Sequence, residues 1–177
     1  KATVFSPEKQ EGICSICGAK QSRDNGSKLT ATMKLNVTSI KLQKKQTTTK
    51  VKVTGLANGD SVKSWTSSNK KIVTVDKNGK IKAGKKTGSA KITITLKRGK
   101  KANLKVKVQS AKVKTTKITG LKTKLTLKKG KSLTLKPVIS PITSQEKVTY
   151  TTSNKKVATV TKKGVIKAKK KGTVTIT

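Results

Sequence analysis

The chain contains no histidine, and that absence removes the commonest catalytic base and every Ser-His-Asp arrangement. Acid is almost as scarce. Glu8, Glu11, Asp24, Asp60, Asp76 and Glu146 are the six carboxylates in 177 residues. Glycoside hydrolysis needs two carboxylates facing one cleft, and nothing in this spacing pairs them. Calcium sites want clustered oxygens, whereas "DKNG" at 76–79 has the composition of a turn. Phe5, Trp65 and Tyr150 are the only aromatics, too few for a row of stacking platforms for sugars or bases. Arginine is limited to Arg23 and Arg98, so bidentate reading of guanine or phosphate has little to work with. No apolar run approaches about 18 residues, so no segment reads as a membrane-spanning helix.

Lysine and the β-branched residues take their place. Basic side chains number 44 and the net charge is +38. Lysine is a hydrated point charge, so a lysine coat gives diffuse attraction to polyanions rather than sequence recognition. The plainer reading of any one lysine is a solvated guard on an exposed strand. Hydrophobic residues are 31%, which suits two small domains with thin cores better than one thick core. Threonine, valine and isoleucine favour strands. The chain begins at Lys1 without an apolar leader, as expected of a piece cut from something longer.

An internal repeat organises the text. "WTSSNKKIVTVDKNGKIKAGKKTG" begins at Trp65, and "YTTSNKKVATVTKKGVIKAKKKG" begins at Tyr150. Leu42, Asn69, Val75, Gly79 and Ala83 align with Leu127, Asn154, Val160, Gly164 and Ala168, each 85 positions on. One residue is then lost, and Gly88 aligns with Gly172. Solenoid repeats run about 20–50 residues, so this period marks a copied domain. Within each copy apolar residues alternate. Val73 and Val75 share a face, Asn78-Gly79 makes a hairpin turn, and Ile81 and Ala83 return to that face. Gly79 and Gly164 are expected to take positive φ. A second hairpin follows, with Ala90, Ile92, Ile94 and Leu96 on one arm and Leu104, Val106 and Val108 on the other. Two earlier strands carry Ile40 and Leu42, then Val51 and Val53. No window shows a helical period. The expected fold is all-β: tandem antiparallel sandwiches over residues 34–110 and 113–177, preceded by a short cysteine-containing segment over 1–33 with one hairpin around Gly18. Trp65 and Tyr150 are expected as the largest core members, each burial stabilising by roughly 2–3 kcal/mol.

The pattern W-x-S-S-N-x-x-I-V-T-V-x-x-x-G-x-I-x-A-x-x-x-G-S-A-x-I-T-I, read from Trp65, resembles the bacterial immunoglobulin-like domain, group 2, of intimin- and invasin-type surface proteins. The resemblance covers about 34–109 and 113–177, most of the chain. It implies an immunoglobulin-like sandwich, extracellular display and a stalk or adhesion role. It implies no enzyme activity and no shared ligand site, so no binding residues carry over. Two departures stand out. The second copy stops at "TVTIT", without a counterpart of "NLKVKV", so it is expected to be incomplete, with an open sheet edge. The lysine load also exceeds what the family usually carries, which raises the weight of polyanion contact.

Cys14 and Cys17, in "CSIC", form the one reactive-looking motif. Structural zinc takes about four ligands, and two cysteines without histidine make half a set. Three readings stand at this point: a zinc knuckle completed from elsewhere, a local disulfide, and free thiols. Otherwise no cofactor is expected. The functional expectation is a non-catalytic module, secreted or at the bacterial cell surface, acting as a stalk or adhesion unit. Its lysine faces would meet anionic cell-wall polymer or glycan, and its neighbours would be further domains of a longer chain. The alternative is a carbohydrate-binding accessory module of a secreted hydrolase. Specific nucleic-acid binding and membrane insertion are not expected.

Overall fold

The computed structural model describes residues 2–177, the side chain of Asn25 apart. It contains strands, turns and no helix among the described residues. The chain divides into two compact units, the first ending at Lys112 and the second spanning Val113–Thr177.

The first unit opens with a hairpin of β1 (Glu8–Ile13) and β2 (Lys20–Asn25). Nine strands follow: β3 (Lys34–Leu35), β4 (Ser39–Gln43), β5 (Thr47–Thr48), β6 (Val53–Thr54), β7 (Val62–Ser67), β8 (Val73–Val75), β9 (Ile81–Ala83), β10 (Gly88–Leu96) and β11 (Lys101–Gln109). One sheet has the order β4-β11-β10-β7 and another the order β5-β9-β8, with β3 and β6 paired separately. Every pairing is antiparallel except β11 with β4, which is parallel. Alternation explains the layering. Ala90, Ile92, Ile94 and Leu96 of β10 and Leu104, Val106 and Val108 of β11 are buried, while Lys91, Lys105 and Lys107 between them are exposed. Val73, Ile81 and Ala83 supply the facing layer. Each inward aliphatic side chain contributes roughly 1.5–3 kcal/mol when fully buried.

The core is aliphatic throughout. Trp65 and Tyr150, expected at its centre, are only half-buried. The indole lies over the β8–β9 turn, where the space a Cβ on Gly79 would occupy is 2.8 Å from its Cζ2. The phenol sits the same way, with Cζ 2.9 Å from the corresponding point at Gly164. Each ring therefore roofs a turn at the margin. Both glycines have positive φ, 77° and 76°.

The repeated Ser-Asn pair and its following turn also have a hydrogen-bonding reason. Asn69 Oδ1 accepts the Lys71 N–H at 3.0 Å, and its carbonyl accepts the Val73 N–H at 3.0 Å. Asn154 does the same for Lys156 at 2.9 Å and Ala158 at 3.1 Å. At the next turn Asp76 Oδ1 accepts N–H groups from Asn78 and Lys80, at 2.9 and 3.0 Å. In the second copy Thr161 stands there, and its Oγ1 accepts the Val165 N–H at 3.1 Å. Asp76 is thus committed to turn formation.

The second unit holds β12 (Lys117–Thr119), β13 (Ser132–Thr134), β14 (Val138–Ser140), β15 (Ala158–Val160) and β16 (Val165–Ala168). β12 pairs with β14, and β13-β16-β15 reproduces β5-β9-β8. Ala158, Ile166 and Ala168 are buried, as Val73, Ile81 and Ala83 are. The other sheet is reduced to one antiparallel bridge, Thr152 with Ile176, at the register where Ser67 meets Ile92. Among the described residues no strand takes the place of β11. Leu125 is 42% exposed where Ile40 is 4%, and Leu127, Val174 and Ile176 are half-exposed where Leu42, Ala90 and Ile92 are buried.

The N-terminal segment is tied to the first unit. Val4 is fully buried, its N–H donates to the Asn58 carbonyl at 3.0 Å, and Asn58 Nδ2 donates to the Ala2 carbonyl at 2.9 Å.

Candidate functional site

Two features of the surface carry chemistry. The first is the outer face of the β4-β11-β10-β7 sheet. Strand pairing sets Lys91 directly opposite Lys105 and Lys107 directly opposite Lys41. All four are exposed. The other outward residues at their level are Ser39, Ser89, Thr93 and Asn103, with Lys101 at the end of β11. None is acidic. Opposed side chains on paired strands stand about 4.5–5.5 Å apart at Cβ, and like charges in that arrangement destabilise a sheet. The three-stranded sheets repeat the theme singly: Lys82 lies between Thr47 and Thr74, and Lys167 lies between Ser132 and Thr159. Sequence alternation put these lysines outward. It could not show that Lys107 meets Lys41, because that depends on partners more than 60 positions apart.

The second feature is the tip of the β1–β2 hairpin. Cys14 and Cys17 flank a tight turn, closed by the Gly18 N–H donating to the Cys14 carbonyl at 2.9 Å and the Cys14 N–H donating to the Ala19 carbonyl at 2.9 Å. Gly18, with φ 69°, lets the chain reverse there. Both cysteines are free thiols, Cys14 half-exposed and Cys17 exposed. The Cys14 sulfur receives the Cys17 backbone N–H, the Cys17 thiol and the Ile16 backbone N–H, which hold its acidity above that of an ordinary cysteine. Among the described residues no group of three or more cysteine, aspartate or glutamate side chains is close enough to hold a metal ion.

The remaining polar groups are dispersed. Asp60 accepts the Ser61 N–H at 2.9 Å through Oδ1. Glu146 accepts the Thr115 N–H at 2.6 Å, and bonds from Thr115, chiefly its backbone, hold the carboxyl below the usual range. A hollow of about 520 Å³ on the hairpin is lined by Gln10, Glu11, Gly12, Gln21, Ser22 and Arg23, with one carboxylate and no nucleophile-base pair.

The family model for the bacterial Ig-like domain (group 2) matches residues 30–106 and 112–177. A stretch of 55 residues, 30% of the chain, is 54% identical to a kappa-carrageenase of Pseudoalteromonas carrageenovora. That stretch covers 14% of the carrageenase, so the chain corresponds to a small part of that protein.

Proposed function

The chain belongs to the bacterial Ig-like domain (group 2) family, and from that premise we propose that it is a non-catalytic module displayed outside the bacterial cell. It spaces or anchors the protein that carries it, and its lysine faces hold anionic polymer of the cell wall or of a host surface. The observation that supports the polymer contact is the opposed pairing of Lys91 with Lys105 and Lys107 with Lys41. A coat that served only to prevent aggregation would gain nothing from placing like charges face to face, an arrangement that destabilises a sheet. A chain of phosphates or sulfates laid across the sheet relieves that repulsion.

The test is binding of the full chain to a polyphosphate, a sulfated polysaccharide and a neutral glucan across a salt series. Anionic polymers are expected to bind and to lose affinity steeply as salt rises, since released counterions supply the drive. Replacing Lys41, Lys91, Lys105 and Lys107 by Gln should weaken binding more than the same change at Lys155, Lys156, Lys162 and Lys163, which removes equal charge elsewhere. Equal loss from both sets would remove the sheet face from the account. Binding that persists at about 1 M salt would remove the electrostatic account altogether.

A second reading rests on the kappa-carrageenase match: an accessory module that holds a secreted hydrolase on its polysaccharide. It shares the same face and the same expectation for charged polysaccharide. Tight, salt-insensitive binding of the neutral glucan would favour recognition of sugar rings and displace the first reading. Phe5, 44% exposed, is the most open aromatic available for that role.

A further inference from the structure

We propose that the outer face of the β4-β11-β10-β7 sheet selects an anionic polysaccharide over a polymer of phosphates alone, through a neutral row that lies beside the lysines. The proposal rests on the polymer-binding reading above and names the class of polymer. Thr66, Thr93 and Asn103 stand opposite one another on β7, β10 and β11. Thr66 and Asn103 are exposed and Thr93 is half-buried. Thr93 and Asn103 lie two residues along their strands from the Lys91–Lys105 pair, a step of about 6.4–6.8 Å. Hydrogen bonds within the row fix what it can offer. Thr93 Oγ1 donates to Asn103 Oδ1 at 3.0 Å. Thr66 Oγ1 donates to the Thr93 carbonyl at 3.4 Å. A hydroxyl has one hydrogen and two lone pairs, so both threonines meet a ligand as acceptors. The bond through Oδ1 leaves the Asn103 Nδ2 hydrogens as donors.

That combination fits sugar. A sugar hydroxyl both donates and accepts, so it can give its hydrogen to a threonine oxygen and take one from the amide. The oxygens along an ionised phosphate chain only accept, and the threonine oxygens offer them nothing. An anionic polysaccharide uses both parts of the face. Its acidic groups meet Lys41, Lys91, Lys105 and Lys107, and its hydroxyls meet the neighbouring row. A neutral polysaccharide lacks the first contact and finds no substitute for it. Stacking on aromatic rings is the usual alternative. Trp65 is the one aromatic on these four strands, and it is paired with Ile94, whose side chain is buried in the core, so the indole belongs to the opposite face. Charge brings the polymer to the sheet, and the row of Thr66, Thr93 and Asn103 distinguishes what kind of polymer it is.

The test compares the full chain with a variant carrying Thr66→Val, Thr93→Val and Asn103→Leu, which leaves the net charge unchanged. The probes are dextran sulfate, a polyuronate, long-chain polyphosphate and dextran. The variant is expected to bind the anionic polysaccharides about three- to thirtyfold more weakly, the loss of one or two net hydrogen bonds. Its affinity for polyphosphate should stay within about twofold, and the salt dependence should keep its slope, because no charge contact is removed. Loss in either polysaccharide arm supports the proposal, and the arm that shows it identifies the anion as sulfate or carboxylate. Trp65 fluorescence across a urea series checks that the variant folds. Thr66→Val alone, on the edge strand β7, serves where the triple change does not. Unchanged polysaccharide binding would overturn the proposal, as would an equal loss for polyphosphate or firm binding of dextran. The glutamine variant of the four lysines separates the two failures: if it binds every polymer as the parent chain does, the lysine reading itself falls, whereas failure of the neutral row alone leaves that reading standing.

Discussion

Gly79→Ala tests the roofed turn. The residue sits at φ 77°, and a methyl group there would lie 2.8 Å from Trp65 Cζ2 and 3.1 Å from Cε2. A left-handed conformation costs an ordinary residue about 1–2 kcal/mol. Forcing a methyl into a filled contact costs about 1–3 kcal/mol more, as ring or turn shifts. The sum is about 2–5 kcal/mol, a large part of the roughly 5–15 kcal/mol that holds a domain. Gly99→Ala supplies the control, since Gly99 has φ 90° with nothing within 4 Å of the added carbon. It should show the backbone cost alone. Urea unfolding followed by Trp65 fluorescence reads the first unit selectively, because this is the only tryptophan. If Gly79→Ala falls within about 0.5 kcal/mol of Gly99→Ala, near the usual spread of harmless surface changes, the ring does not press on the turn and the reasoning fails. The twin change Gly164→Ala, aimed at Tyr150 Cζ, should act in the same direction in the second unit. Its cost should be smaller, because that unit is less filled and its ring has more freedom to yield.

Ile92→Ala should cost the first unit about 2–5 kcal/mol, while Ile176→Ala, at the matching half-exposed position, should cost the second under about 1 kcal/mol; chemical denaturation with hydrogen exchange separates the two units. Glu146 should make the second unit acid-sensitive. Its folded pKa is lowered, chiefly by the Thr115 backbone bond, so its contribution is complete above the ordinary glutamate value of 4.5 and lost as pH falls below it. Glu146→Gln should flatten that part of the stability profile, measured from pH 7 down to pH 3.

What the sequence made legible was local. Alternation of period two put Ala90, Ile92, Ile94 and Leu96 inward and Lys91 outward without knowledge of any partner. The β8–β9 hairpin followed from Asn78-Gly79 and the valines beside it. Pairing at a distance was not legible. The parallel contact of β4 with β11 joins residues whose patterns are compatible with many neighbours. Nor were the degrees of burial of Trp65 and Tyr150, since an aromatic next to a tight turn serves equally as core or as cover. The segment before residue 34 reads as separate because its composition differs, yet one buried valine and a few backbone bonds fasten it. Of the candidate sites, the two cysteines were visible from spacing. The facing lysines needed the register.

The parallel pair β4 and β11 has a mechanical consequence. The chain enters β4 at Ser39 and leaves β11 at Gln109, and these lie at opposite ends of five matched residue pairs. A pull that draws those ends apart slides one strand along the other, so the bridging bonds bear the load together instead of parting one by one.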